Sequence, residues 1–296
     1  MPPDPFPTRG AKPLKKRFLL TAVGASAVAL SLALPAPGAA AVGSGTTLYG
    51  LTTTNRIVTL NTASPVIATN DVAVTGLSPG EQLIGLDRRP KTGALYGVGR
   101  LGTAGRLFTV DPSTGIATLV ANLVTSGAPT VLTASEYGFD FNPVADALRI
   151  VGDNGQDLRV LPSDRAAGVA GTTFVDGTLN VAGATATGIS GAAYTNNVAT
   201  PVGGTTLYDI DTRRDVLVKQ DPPNTGALVT VGSLGFPAGS VAGFDIVTTN
   251  GVETGFAALT VPGRPITLLA SVNLATGQAT VTSAAAYPYV LRGLAA

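Results

Sequence analysis

From Thr46 onward the chain alternates apolar and polar residues in short runs separated by turn residues, the period-two pattern of half-buried β-strands. No apolar run of helical spacing and useful length follows residue 41. One kind of hairpin is clearest at 106–121, RLFTVDPSTGIATLVA, where alternation continues on both sides of Asp111-Pro112-Ser113-Thr114-Gly115. Asp caps its own turn, Pro presets φ, and Gly accepts the left-handed conformation that closes the hairpin. Related copies are VLVKQDPPNTGALVTVG at 216–232, ASVNLATGQATVTS at 270–283 and RIVTLNTASPVIAT at 56–69.

A second kind of hairpin pairs an opening strand with one built around Leu-Tyr or a relative. In LIGLDRRPKTGALYGVG (83–99) and YGFDFNPVADALRIVGD (137–153) the Gly-x-Asp and the loop length are the same. AGFDIVT at 242–248 repeats the start. GISGAAYTNN at 188–197 and VLRGLAA at 290–296 keep the strand but lose the aspartate. Second strands recur as TTLYG at 46–50 and TTLYD at 205–209. Opening strands thus begin near Leu83, Tyr137, Ile189, Ala242 and Val290, a spacing that suits the four strands of a propeller blade.

The expected fold is all-β, a five-bladed β-propeller. Four blades are continuous, and the fifth joins 290–296 to the strands of about 46–75, so the C-terminal strand closes the ring on the N-terminal blade. A six-bladed ring would need a blade hidden in 161–205, and a β-sandwich is the other rival. The long connection 161–187 has room for the outer hairpin of the third blade.

Residues 1–41 stand apart. Lys15-Lys16-Arg17 precedes an apolar run from Phe18 to Leu34, and Ala39-Ala40-Ala41 offers a small-residue cleavage site. That layout predicts a secretory signal peptide, a single domain over 42–296, and a location outside the cytoplasm, secreted or in the periplasm or cell envelope. An uncleaved anchor is the other reading of the apolar run. The signal holds five of the 19 basic and one of the 18 acidic residues, leaving 14 against 17, a net charge of −3. No basic stripe remains, so nucleic acid is not an expected partner. No transmembrane helix is expected after the signal, and a monomer is expected.

Cysteine, histidine and tryptophan are absent from the whole chain. This excludes disulfides, thiolate metal sites and a Ser–His–Asp triad. Gly76-Leu77-Ser78-Pro79-Gly80 spells a nucleophile-elbow string, but Pro79 has no N–H to offer an oxyanion, and a plain turn is expected. Asp153-Asn154-Gly155-Gln156-Asp157 has alternating oxygen ligands around a glycine, yet lacks the distal glutamate of a calcium loop; a hairpin turn is the competing reading.

The segments LDRRPKTGALYGVG, GRLFTVDPSTGIATLV and GFDFNPVADALRIVGDNGQDLRV resemble those of an uncharacterised secreted bacterial family, domain of unknown function 4394. The resemblance covers nearly all of 42–296. It implies an exported propeller-like domain and brings no activity, cofactor or catalytic set.

The repeated aspartates Asp87, Asp140 and Asp245 either converge on a ligand in the central channel or shape their own strand ends through backbone N–H bonds. Arg88, Arg89 and Arg149 lie close to the pattern and either recognise a carboxylate or pair with those aspartates. The candidate ligand-binding set is Asp87, Arg88, Asp140, Asn142, Arg149 and Glu136, with no metal, cofactor or catalytic residues assigned. The expected function is a non-enzymatic module that binds an extracellular protein, a glycan or a small ligand. One alternative is a carboxylate-based glycosidase, for which Glu81, Glu136 and Glu253 are the glutamates available. Another is a structural envelope or matrix protein. Tyr49, Tyr96 and Tyr208 occupy equivalent strand positions, which core packing would produce.

Overall fold

A computed structural model of the chain describes residues 45–64, 68–163, 168–282 and 289–296; the expected signal segment lies outside them. Five four-stranded antiparallel sheets form the five blades of a β-propeller. From the inside outward, the first blade runs Gln82–Arg88, Leu95–Leu101, Ala104–Val110 and Ala117–Asn122. The second runs Tyr137–Asn142, Ala147–Gly152, Asp157–Val160 and Thr173–Val175. The third runs Ile189–Tyr194, Leu207–Asp211, Val216–Gln220 and Leu228–Ser233, and the fourth Ala242–Thr249, Val252–Thr260, Thr267–Val272 and Ala279–Val281. The fifth takes its inner strand, Leu291–Ala295, from the far end of the sequence and adds Thr47–Thr52, Arg56–Asn61 and Asn70–Ala73. Each inner strand contacts the inner strand of the next blade, and the fifth contacts the first, so the ring is closed.

One expectation about the outer strands needs correction. The outer hairpin of the third blade is 216–233, while the stretch after residue 161 supplies the outer strand of the second blade, Thr173–Val175, and a two-stranded hairpin, Asn180–Val181 with Ala184–Thr185. The second blade's outer strand is only three residues long and reached by a long connection, which hides its pattern.

The core lies between neighbouring blades rather than at one centre. Between the first and second, Phe139, Phe141, Tyr137, Ile84, Val98 and Leu107 pack in one cluster, with Tyr96 edge-on to Phe141 at 5.3 Å. Alternation along each strand sends one set of apolar side chains to each neighbour. The outer turns reinforce this packing. Gly115 adopts φ 77°, its N–H donates to Asp111 O at 2.8 Å, and Asp111 Oδ1 accepts the N–H of Ser113 at 2.8 Å. A Cβ on Gly115 would overlap the carbonyl of Ala73 in the fifth blade, and one on Gly277 the carbonyl of Gly232 in the third. The glycine therefore both closes its own turn and admits the preceding blade's outer strand.

Candidate functional site on the ring axis

Every inner strand carries a glycine at one level: Gly85, Gly138, Gly191, Gly243 and Gly293. Two residues later stand Asp87, Asp140, Ala193, Asp245 and Ala295, which face Tyr96, Arg149, Tyr208, Phe256 and Tyr49 across the first strand pair of each blade. The glycines let the inner strands approach closely. A Cβ on Gly138 would lie 2.6 Å from Ala192 N and Gly191 C, and one on Gly243 would lie 2.7 Å from Gly293 C and Leu294 N. Between them Leu86, Phe139, Ala192, Phe244 and Leu294 reduce the channel to a void of about 10 Å³. That is room for about one water, so the axis is plugged rather than open.

At the end of the inner strands the three aspartates converge. One carboxylate oxygen from each lies within 4.8 Å of the others, and all three side chains are buried. Each reaches forward to the next blade. The Phe141 N–H donates to Asp87 Oδ2 at 2.7 Å, Tyr194 N–H to Asp140 Oδ2 at 2.5 Å, and Ala296 N–H to Asp245 Oδ2 at 2.6 Å. Two blades follow an alanine instead, and there the equivalent N–H groups belong to Ile246 and Arg88. Ile246 N–H donates to its own blade's Asp245 Oδ1 at 2.6 Å, and the Arg88 N–H lies close enough to Asp87 to lower its carboxyl. Three carboxylates thus serve five equivalent peptide groups, one from each blade.

Burial is the dominant force on these acids. It holds Asp87 up at about 6 against the lowering effect of the Phe141 N–H. Asp140 is pushed well above the usual carboxylate range by burial and then by the charges of Asp87 and Asp245. Asp245 is raised in the same way, by burial and then by Asp87. Asp87 Oδ1 and Asp140 Oδ1 have no hydrogen-bond partner.

The other mouth of the channel is built where inner strands begin. Glu136 immediately precedes the second inner strand, and Arg292 lies near the start of the fifth, with Nη2 3.7 Å from Glu136 Oε1. Burial raises Glu136, opposed by Arg292 and Arg100 and assisted by the charge of Asp153. Arg292 Nε is buried and has no acceptor. Asp153 N–H donates to Glu136 O at 3.0 Å, linking this pair to a cleft of about 340 Å³ lined by Asp153, Thr187, Thr212, Arg213 and Ser240.

Of the six candidate residues, the structure brings Asp87 and Asp140 together and adds Asp245; Glu136 is at the opposite mouth. Arg88 is exposed, donates to Gly93 O at 2.9 Å and borders a separate interblade cleft with Tyr49. Asn142 caps a turn, its Oδ1 accepting the N–H groups of Val144 at 2.9 Å and Ala145 at 2.8 Å. Arg149 is buried with Asp157 and Asp176, each at 2.6 Å, and with Asn224 at 2.8 Å. Arg292 was not singled out by sequence reasoning, although it is the one charged residue of the closing strand.

The remaining motifs resolve into local structure. Asp157 turns to Arg149 while Asp153 Oδ1 accepts the Ser135 N–H at 3.0 Å, so the two ends of the Asp153–Asp157 loop serve different partners. Ser78 lies in a turn, its N–H donating to Glu81 Oε2 at 3.0 Å and its Oγ accepting from Arg106 at 2.8 Å. Tyr96 and Tyr208 are buried, and Tyr49 partly so.

A family model described as Domain of unknown function (DUF4394) matches residues 56–295. No curated protein matches the chain. Among solved structures, a candidate 6-phosphogluconolactonase from Bacteroides fragilis is similar at 13% identity with a TM-score of 0.42, covering 86% of this chain and 98% of that one. An exo-1,5-α-L-arabinanase from a bovine ruminal metagenomic library is similar at 11% identity with a TM-score of 0.40, covering 79% and 91%.

Proposed function

This chain belongs to the DUF4394 family, whose function is unknown, and we propose that it is an exported, monomeric binding module rather than an enzyme. Its ligand is a small polar molecule or glycan bearing an acidic group, held at the mouth where Glu136 and Arg292 meet. The observation that carries this reading is the buried Nε of Arg292, a charged donor without an acceptor beside a carboxylate 3.7 Å away. An unpaired guanidinium donor is costly to bury, and an incoming carboxylate satisfies it with the planar geometry arginine favours. The cleft lined by Asp153, whose N–H donates to Glu136 O, offers the hydroxyls of Thr187, Thr212 and Ser240 for the rest of such a ligand. Calorimetric titration with D-glucuronate and with D-glucose tests this. Heat with the acid alone, lost in Arg292→Leu, is expected; equal binding of the neutral sugar, or no binding of either, would refute it.

A carboxylate-based glycosidase is the second reading. It is favoured by the upward shift of Glu136, the state a general acid needs, with the Asp153 charge acting on it. Hydrolysis of aryl glycosides that Glu136→Gln abolishes would replace the binding-only reading.

A further inference from the structure

We propose that Asp87, Asp140 and Asp245 form an axial site for one hard divalent cation, best matched to Ca²⁺, which clasps the first, second and fourth blades around a single ion. The separation comes first. Two oxygens on opposite sides of a calcium ion with bonds of about 2.3–2.6 Å stand roughly 5 Å apart. Three oxygens with mutual distances within 4.8 Å lie no more than about 2.8 Å from a common centre, close to a calcium–oxygen bond.

The second observation is independent of the clustering and concerns hydrogen bonds. Asp87 and Asp140 are each tethered through Oδ2 to the next blade, and the other oxygen of each, Oδ1, is buried without a hydrogen-bond partner. Carboxylates that bind a metal are typically oriented by just such hydrogen bonds from outside. Here the tether fixes each plane and leaves one oxygen bare. Asp245 has both oxygens held by peptide groups, Ile246 and Ala296, with lone pairs remaining. Among the described residues no arginine or lysine forms an ion pair with any of the three. Arg149, cross-strand partner of Asp140, is turned away to Asp157 and Asp176. Three buried anions without a counter-charge need a cation or protons.

Ligand chemistry narrows the choice. All donors are oxygens, which suits Ca²⁺ or Mg²⁺ and not a thiophilic metal. Mg²⁺ demands near-octahedral geometry and keeps several waters, whereas Ca²⁺ accepts irregular, carboxylate-rich surroundings. The plugged channel favours the ion that sheds its water more readily.

The test uses the full chain after exposure to EDTA. Adding Ca²⁺ at pH 7.5 is expected to raise the unfolding midpoint by about 5–10 °C at saturating ion, with one ion bound per chain by native mass spectrometry and a smaller effect of Mg²⁺. Asp140→Asn should abolish the shift, while Asp111→Asn, in an exposed turn, should retain it. If Asp140→Asn does not fold, Asp87→Asn and the wild-type stoichiometry decide. No bound calcium and no midpoint change would overturn the proposal and leave protons as what neutralises the triad. Because the Glu136–Arg292 mouth is at the other end of the channel, glucuronate binding succeeds or fails separately.

Discussion

The axial aspartates show how one residue type does different work depending on its neighbours. Asp87 has a vacant oxygen, Asp245 has none, and the alanines at 193 and 295 shift the duty of capping a peptide group onto the following blade's own acid. Their shared upward shift has a definite consequence for stability. A carboxyl whose folded value exceeds its unfolded one holds its proton more tightly in the native state, so the native state is penalised as pH rises. For Asp87 the window runs from its ordinary value of 3.8 to about 6. In EDTA-treated protein the unfolding midpoint should therefore fall between pH 4 and pH 6, with the raised Asp140 and Asp245 acting in the same direction. A midpoint that instead rises through pH 4 to 6, followed by circular dichroism, would contradict this account. The aspartates were legible beforehand because Gly-x-Asp recurs. The partners of Arg149 were not, since Asp176 and Asn224 lie 27 and 75 residues away and belong to no repeated motif. Arg292 escaped notice because a single arginine carries no periodic signal.

At the scale of the strand, the glycine two positions before each aspartate sets how near neighbouring blades can come. Its role differs from that of a turn glycine: Gly138 has no positive φ, and its constraint is the backbone of Gly191 and Ala192. Backbone atoms cannot rotate aside as a side chain can. Gly138→Ala is therefore expected to destabilise the protein by about 2–3 kcal/mol through overpacking. Gly204→Ala, with open space around the added methyl, should stay within about 0.5 kcal/mol. Urea denaturation of the two variants distinguishes them, and equal stability would remove the close-approach argument. The blade strands with clean alternation could be read directly from their hydrophobic pattern. Thr173–Val175 could not, because three residues do not establish a period and two of them are exposed.

For the whole molecule the decisive pairing is Leu291–Ala295 against Thr47–Thr52, with Tyr49 opposite Ala295 and Leu51 opposite Gly293. It was legible as two complementary defects: a fifth opening strand with nothing after it, and second strands with nothing before them. Deleting Val290–Ala296 removes that strand, uncovers the edge of Thr47–Thr52 and strips Asp245 of its Ala296 partner. The truncated protein should aggregate or unfold well below the intact one, as seen by light scattering during a thermal ramp; an unchanged melting curve would refute closure by this strand.

The same pairing has a mechanical side. The strands are antiparallel, so Thr47 and Ala295 lie at one end of their shared ladder. A load applied between Gly45 and Ala296 would part the hydrogen bonds one after another, as a zipper opens, instead of shearing the whole row together. The blade that seals the ring is thus its most easily pulled seam. A stretched molecule would open there first and yield the remaining blades in turn from the exposed ends.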